Sequence, residues 1–268
     1  MNGVELAPLA WNLAATAVAV AAVMLITLAV ATRIGVYAIV DVAWGLGFVL
    51  VAVITFVLSV SHGDGGRRAL VLTLTAIWGL RLAAHIFRRN RGRGEDPRYA
   101  RMLRGHDAGV ARFVLTRIYL PQGRIMWVVS LPIQVAMYID TGLGPAAMIG
   151  VVVWVLGMVF EAAGDWQLAR FKADPANDGS VMDRGLWRYT RHPNYFGDAC
   201  VWWGLFLIAC EHWMGLLTIV SPLLMTHLLV NVTGKALLER QMSRTRGQAY
   251  ADYVARTSGF FPLPPKRT

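Results

Sequence analysis

The sequence predicts an all-α fold: a polytopic membrane helix bundle of about seven transmembrane helices, with the N terminus outside and the C terminus in the cytoplasm. Three observations predict it. Hydrophobic residues make up 56% of the 268 residues, charged residues only 16%, and the mean hydropathy is +0.48, too apolar and too poor in charge for a soluble domain. Windows long enough to cross about 30 Å of hydrocarbon recur along the chain. Basic residues collect between those windows.

The windows fall near 9–31, 35–60, 69–87, 119–139, 143–164, 195–211 and 213–234. The first exceeds the apolar core of a signal peptide and has no basic residue before it, so it reads as a membrane helix. The second carries an acid, Asp41, with Tyr37 one turn before it and Trp44 about one turn after. After the third comes a polar loop, Arg88 to Phe113, whose proline disfavours one continuous helix. Its charge run reads first as a solvated loop and second as a lid over a nucleotide. The fourth window is softest around PQGR at 121–124, and Glu211 and His212 mark a tight hairpin between the last two. No internal repeat or low-complexity segment interrupts this order.

Orientation follows from charge. Arg88 to Arg124, Arg170 to Arg191 and the tail from Lys235 to Arg267 are dense in Arg and Lys and must share the cytoplasmic side. Seven spans satisfy this and leave Arg67 and Arg68 as the two basic residues on the opposite face. The formal charge of +10 is therefore topological; the basic residues form no aromatic-interleaved stripe, which excludes nucleic acid as a partner. Cys200 and Cys210 lie roughly 15 Å apart on one helix, too far for a disulfide between them.

Chemistry concentrates between Phe160 and Trp203. Asn194, Asp198 and Trp202 are spaced i, i+4, i+8 and share a helical face. Pro193 stands where a first helical residue would be. Tyr189, Arg191, His192 and Asn194 thus gather at a helix N terminus, where free N–H groups suit a phosphate or pyrophosphate. Glu161 and Asp165 form a second i, i+4 pair, with Lys172 about two turns further on; carboxylates accept from ribose hydroxyls, and Lys and Arg meet phosphate charge. The two clusters would face one hollow if the fifth and sixth spans are neighbours, as their short connection implies. The bland alternative is a set of ion pairs that ties the two spans together. One His in the cluster and no HxxxH, HExxH or Cys pair argue against a metal site, and RGRG lacks the strand that a phosphate loop needs. Tyr37 and Asp41 are the candidates for polarising a substrate carbonyl, against an internal polar clasp.

GDWQLARFK followed by GLWRYTRHPNYFGD resembles the signature of the steroid 5-alpha reductase-like integral membrane proteins, in particular their bacterial branch. WGLRLAAHIFRR and GEDPRY also look like that branch, and RYTRHPNYFGD is similar to the matching segment of the sterol C14 reductases. The resemblance implies a single integral membrane domain, with residues 1–140 forming substrate-side helices and a basic loop and 141–268 a cofactor-binding half. It implies that NADPH enters from the cytoplasm and gives hydride to a carbon–carbon double bond of a lipid-like enone. By motif, the cofactor would be held by Glu161, Asp165, Lys172, Tyr189, Arg191, His192, Asn194, Tyr195 and Asp198, with Trp202 on the same face. The Arg-rich rim favours the extra phosphate of NADPH over NADH. The Gln-Glu pair and later Tyr of the animal steroid reductases are absent; Asp41 is the acid available, and Trp78 stands near where that Tyr would fall.

LLERQMSRTRGQAYADYVARTSGFFP is also similar to the tail of the isoprenylcysteine carboxyl methyltransferases, with Glu239, Tyr250 and Tyr253 in place. That resemblance implies S-adenosylmethionine as the alternative cofactor. A lipid-binding membrane protein without catalysis is the third class. Membrane lipids are expected partners in all three, and a bacterial cell membrane is the expected location.

Overall fold

The computed structural model describes residues 4–105, 109–232 and 234–266. Residues 106–108 of the expected basic loop and Arg267 of the tail lie outside the described residues. The described chain is all-α; its sole β feature is an isolated parallel bridge between Thr190 and Ser258. In order come α1 (Leu6–Ile34), α2 (Val40–Leu58), α3 (Gly65–Asn90), α4 (Pro97–Leu103), α5 (Val110–Val114), α6 (Leu120–Val129), α7 (Leu131–Ala136), α8 (Pro145–Ala173), α9 (Pro193–Ala209), α10 (Trp213–Leu216), α11 (Val220–His227) and α12 (Lys235–Arg256).

Five stretches among the described residues are long and apolar enough to cross a membrane: Leu6–Ile34, Tyr37–Leu58, Gly65–Asn90, Pro145–Ala173 and Trp213–Arg256. The chain is an integral membrane protein. The last stretch is apolar only to about Val232; from Lys235 it continues as the charged helix α12. The other two expected windows come out differently for local reasons. The 119–139 window is cut into α6 and α7 by Ser130 and Pro132, the latter having no N–H for the helical ladder. The 195–211 window becomes α9, a 17-residue helix that starts at Pro193, as a proline at the first position allows.

The chain divides into two compact units, Met1–Gly144 with Ile208–Ile219, and Pro145–Leu207 with Val220–Thr268. In the first unit α1 buries a single stripe, Leu9, Asn12, Thr16, Val20, Met24, Thr27 and Ala31, while Trp11, Val18 and Ile26 stay exposed. One-sided burial at 3- and 4-residue spacing is what a helix at the rim of a membrane bundle shows. It stops at Gly35, whose left-handed φ of 70° lets its N–H reach Ala31 O. The next two helices approach backbone to backbone: a Cβ on Gly45 would lie 2.4 Å from Gly79 O.

Arg67 and Arg68, the two basic residues that the expected seven-span topology leaves on the far side, are both buried. Arg67 donates to Ile208 O at 2.6 Å, Thr141 O at 3.1 Å and Gly142 O at 2.7 Å, satisfying carbonyls at a helix end and in the 141–142 turn. Arg68 donates to Ser59 Oγ at 2.9 Å, and its guanidinium lies over Phe56. Both charges are held inside the protein as structural ties.

In the second unit α8 and α9 pack through glycines. A Cβ on Gly197 would sit 2.4 Å from Glu161 N and 2.5 Å from Gly157 O, one on Gly157 2.5 Å from Gly197 O, and one on Gly204 2.7 Å from Gly150 O. Only small residues permit such an approach of two backbones. Phe160 meets Phe196 edge to face, and Phe196 in turn meets Phe260 and Phe261, so the C-terminal segment is packed against α9.

Candidate functional site

The second unit holds the site, built on the segment 187–195. The isolated bridge at Thr190 and Ser258 is reinforced by Arg191 N donating to Ser258 O (2.9 Å), Thr190 Oγ1 to Phe260 O (2.8 Å) and Leu263 N to Tyr189 O (3.0 Å). Tyr253 Oη adds a bond to Trp187 O at 2.6 Å. These contacts fix the RYTRHP segment just before α9. Arg191 Nε then donates to Glu239 Oε1 at 2.8 Å, and His192 Nε2 lies 3.2 Å from the same oxygen. A carboxylate partner makes Nε2 the protonated nitrogen of the ring. Arg191 also reaches the carbonyl of Thr257, and the His192 ring stacks on Tyr195 with centroids 5.4 Å apart and planes 5° from parallel. Burial pushes the His192 imidazole below its ordinary range, with Glu239 pulling the other way.

Beside this knot opens a cavity of about 370 Å³. Phe171 and Lys172 from the end of α8, Trp187, Arg191 and His192 from the central segment, and Met242, Arg246, Tyr250 and Tyr253 from α12 line it, together with Asp174, Asn177 and Asp178 from the loop after α8. An adjoining cleft of about 330 Å³ has Trp166, Gln167, Arg170 and Arg184 on its walls and shares Phe171, Asp174, Asn177 and Met182 with the first. Aromatic and apolar walls with a few convergent charges are the usual make-up of a small-molecule site.

The expected site residues divide into two groups. Lys172, Arg191, His192 and Tyr250 line the cavity, and Glu239 stands behind Arg191 and His192, holding both. Glu161, Asp165 and Asp198 are buried, at 3%, 9% and 8% exposure, and Trp202 is fully buried. Asn194 Nδ2 donates to Asp165 Oδ1 at 3.1 Å, so this pair ties α8 to α9. The spans expected to be neighbours are neighbours, yet the opening expected between them lies elsewhere. The glycines bring the two backbones into contact, and the cavity forms at the C-terminal end of α8, against α12. Tyr195 serves the site through its stacking on His192, while Tyr189 is 44% exposed and anchors the tail through its carbonyl.

Tyr37 and Asp41 sit in the first unit as docking points for the GEDPRY segment. Asp41 belongs to the first turn of α2 and accepts from Arg98 Nη2 (2.8 Å) and Tyr99 Oη (2.6 Å). Glu95 accepts from the backbone N–H groups of Tyr37 and Ala38, and Asp96 caps α4 by accepting from Arg98 N (2.8 Å). Burial, the Asp41 charge and the bond to it push the Tyr99 phenol well above its ordinary range. Asp41 is thus a paired acceptor, held by Arg98 and Tyr99. The Arg88–Phe113 stretch, read first as solvated, is pinned down across residues 95–99.

Sequence reasoning did not find Arg246, Trp187, Met242 or Phe171 as cavity residues. Arg246 lies in a run of charges, SRTRGQ, with no periodic signal; the one clue is Gly247, which breaks α12 with φ 50° and ψ −126°. Glu95, Arg98 and Tyr99 were visible within GEDPRY but not the contacts they make.

No curated protein and no solved structure matches the chain. A family model described as "Protein of unknown function (DUF1295)" matches residues 10–257, nearly the whole length and both units. The chain therefore belongs to the DUF1295 family.

Proposed function

We propose that this protein is an NADPH-dependent reductase of a bacterial cell membrane, reducing a carbon–carbon double bond in a lipid-like enone, with the C-terminal basic segments on the cytoplasmic side. The observation that carries this reading is the composition of the 370 Å³ cavity. The rings of Phe171, Trp187, Tyr250 and Tyr253 offer stacking faces for a heteroaromatic ring, and Lys172, Arg191 and Arg246 offer charge to phosphates. The adjoining cleft adds further space beside it, with Trp166 and Arg170 on its wall. DUF1295 is associated with steroid 5-alpha reductase-like membrane proteins, which agrees with the motif resemblance.

In this proposal Lys172 and Arg246 meet the phosphates. Glu239 fixes the direction of Arg191 and His192, and the tyrosines exclude water from the ring. The nicotinamide, when bound, supplies the hydride. The Asp165–Asn194 pair sets the register of the helices behind the site. A second reading has its own observation: Asp174 and Asp178 line the same cavity as the aromatic rings, and carboxylates with aromatic faces suit the sulfonium of S-adenosylmethionine. Equilibrium binding of NADPH, NADH and S-adenosylmethionine to detergent-purified protein decides. NADPH binding that Lys172→Ala and Tyr250→Ala each weaken is expected. Tight binding of S-adenosylmethionine with none of NADPH reverses the assignment to methyl transfer, and binding of neither removes the enzymatic reading.

A further inference from the structure

We infer that Arg246 recognises a phosphate monoester on the ligand's ribose and so selects NADPH over NADH, an inference that rests on the dinucleotide reading of the same cavity. Arg246 stands on the charged helix α12, where an arginine ordinarily turns its guanidinium to solvent. Here it lines the cavity, immediately before the break at Gly247. Its Nε is buried and meets no hydrogen-bond acceptor among the described residues. One terminal nitrogen lies beside the bare backbone of Gly179, 3.6 Å from where a Cβ there would be, so the side chain runs along the loop wall.

The three cations of the cavity are not equivalent. Arg191 has its Nε on Glu239 and a terminal nitrogen on the Thr257 carbonyl, so its fork is committed within the protein. Lys172 brings a point charge. Arg246 keeps a planar fork whose terminal nitrogens make no hydrogen bond among the described residues, and a dianionic phosphate monoester presents three oxygens that can take two parallel N–H bonds. The carboxylates on the same loop do not take that place: Asp174 accepts from Ala176 N (2.9 Å) and Asp178 from Gly179 N (3.0 Å), which close the loop's own turns.

The test measures NADPH and NADH affinity on the full-length protein in detergent, for wild type, Arg246→Ala, Arg246→Lys and Arg244→Ala. Wild type is expected to prefer NADPH by about ten-fold or more, the worth of one charge-assisted bond pair. Arg246→Ala is expected to erase that preference by weakening NADPH alone. Arg246→Lys should fall between, since it keeps the charge and loses the fork, and Arg244→Ala, an exposed neighbour on the same helix, should leave both affinities unchanged. Arg246→Ala retaining the wild-type ratio, or weakening both dinucleotides equally, overturns the inference while the cofactor reading stands. So does a wild type that binds both equally. A wild type that binds neither overturns the cofactor reading and this inference together. Thermal unfolding of each variant reports folding; if Arg246→Ala unfolds, Arg246→Lys still decides, because an unchanged ratio there refutes bidentate recognition.

Discussion

Replacing Glu239 by Gln removes the anion on which Arg191 and His192 converge. Glu239 accepts at 2.8 Å and 3.2 Å from those two groups, and its side chain is 23% exposed against 10% for Arg191 and 5% for His192. Solvent therefore screens the knot only in part. Hydrogen bonds to charged groups are worth roughly 1.5–3 kcal/mol each, and the glutamine amide can still accept one bond, so the loss is about 2–3 kcal/mol. For a chain of this size that corresponds to a fall of roughly 5–10 °C in Tm. The assay is thermal unfolding of detergent-purified protein beside Asp252→Asn, a change on the same helix to an exposed carboxylate that accepts from Gln248, expected to move Tm by about 1 °C or less. A Glu239→Gln variant as stable as Asp252→Asn would refute the claim that this carboxylate organises the cavity wall. Because Arg191 and His192 line the cavity, the same variant should also bind NADPH more weakly.

Two further predictions follow from other parts of the molecule. Arg67→Ala leaves three carbonyls, of Thr141, Gly142 and Ile208, without their donor; a loss of about 3 kcal/mol or more is expected, against little change for Arg33→Ala on the exposed last turn of α1, both read as Tm in detergent. Stability should also fall on mild acidification. With its folded value held below the ordinary 6.5 by burial, His192 takes up its proton at lower pH than in the unfolded chain. Its contribution is complete above about pH 6.5 and erodes as pH drops below that. His192→Gln should flatten the Tm profile in that window, and an identical slope in variant and wild type would contradict the assignment.

How much of this was legible in the sequence depended on the range of the interactions. The apolar windows marked α1, α2, α3 and α8 because burial in a membrane helix is a local property of a run. The 119–139 run failed as one helix because Pro132 and Ser130 act on the backbone ladder, which average hydropathy does not register. Lys172, Arg191, His192 and Tyr250 were readable because they belong to compact motifs. Arg246 was not, since nothing in SRTRGQ distinguishes an arginine that lines a cavity from a solvated one. The same holds for Glu95, whose contacts with Tyr37 and Ala38 span more than fifty residues, and for Glu161 and Asp165, whose spacing fits a ligand shelf and a helix clasp equally well. What separates those two is the distance between the helices, set by Gly157, Gly164, Gly197 and Gly204.

Those four positions recur at heptad intervals, seven apart on each helix. At Gly157, Gly197 and Gly204 a methyl group would collide with the facing helix, and at Gly164 it would press on Pro193 at 3.1 Å. A saturation mutagenesis map of this protein should therefore show two ladders of near-total intolerance, out of proportion to the plainness of the residue. Drift at the cavity wall, by contrast, would be comparatively free, so that members of the family could change what they bind while the axis supporting the pocket stays unaltered.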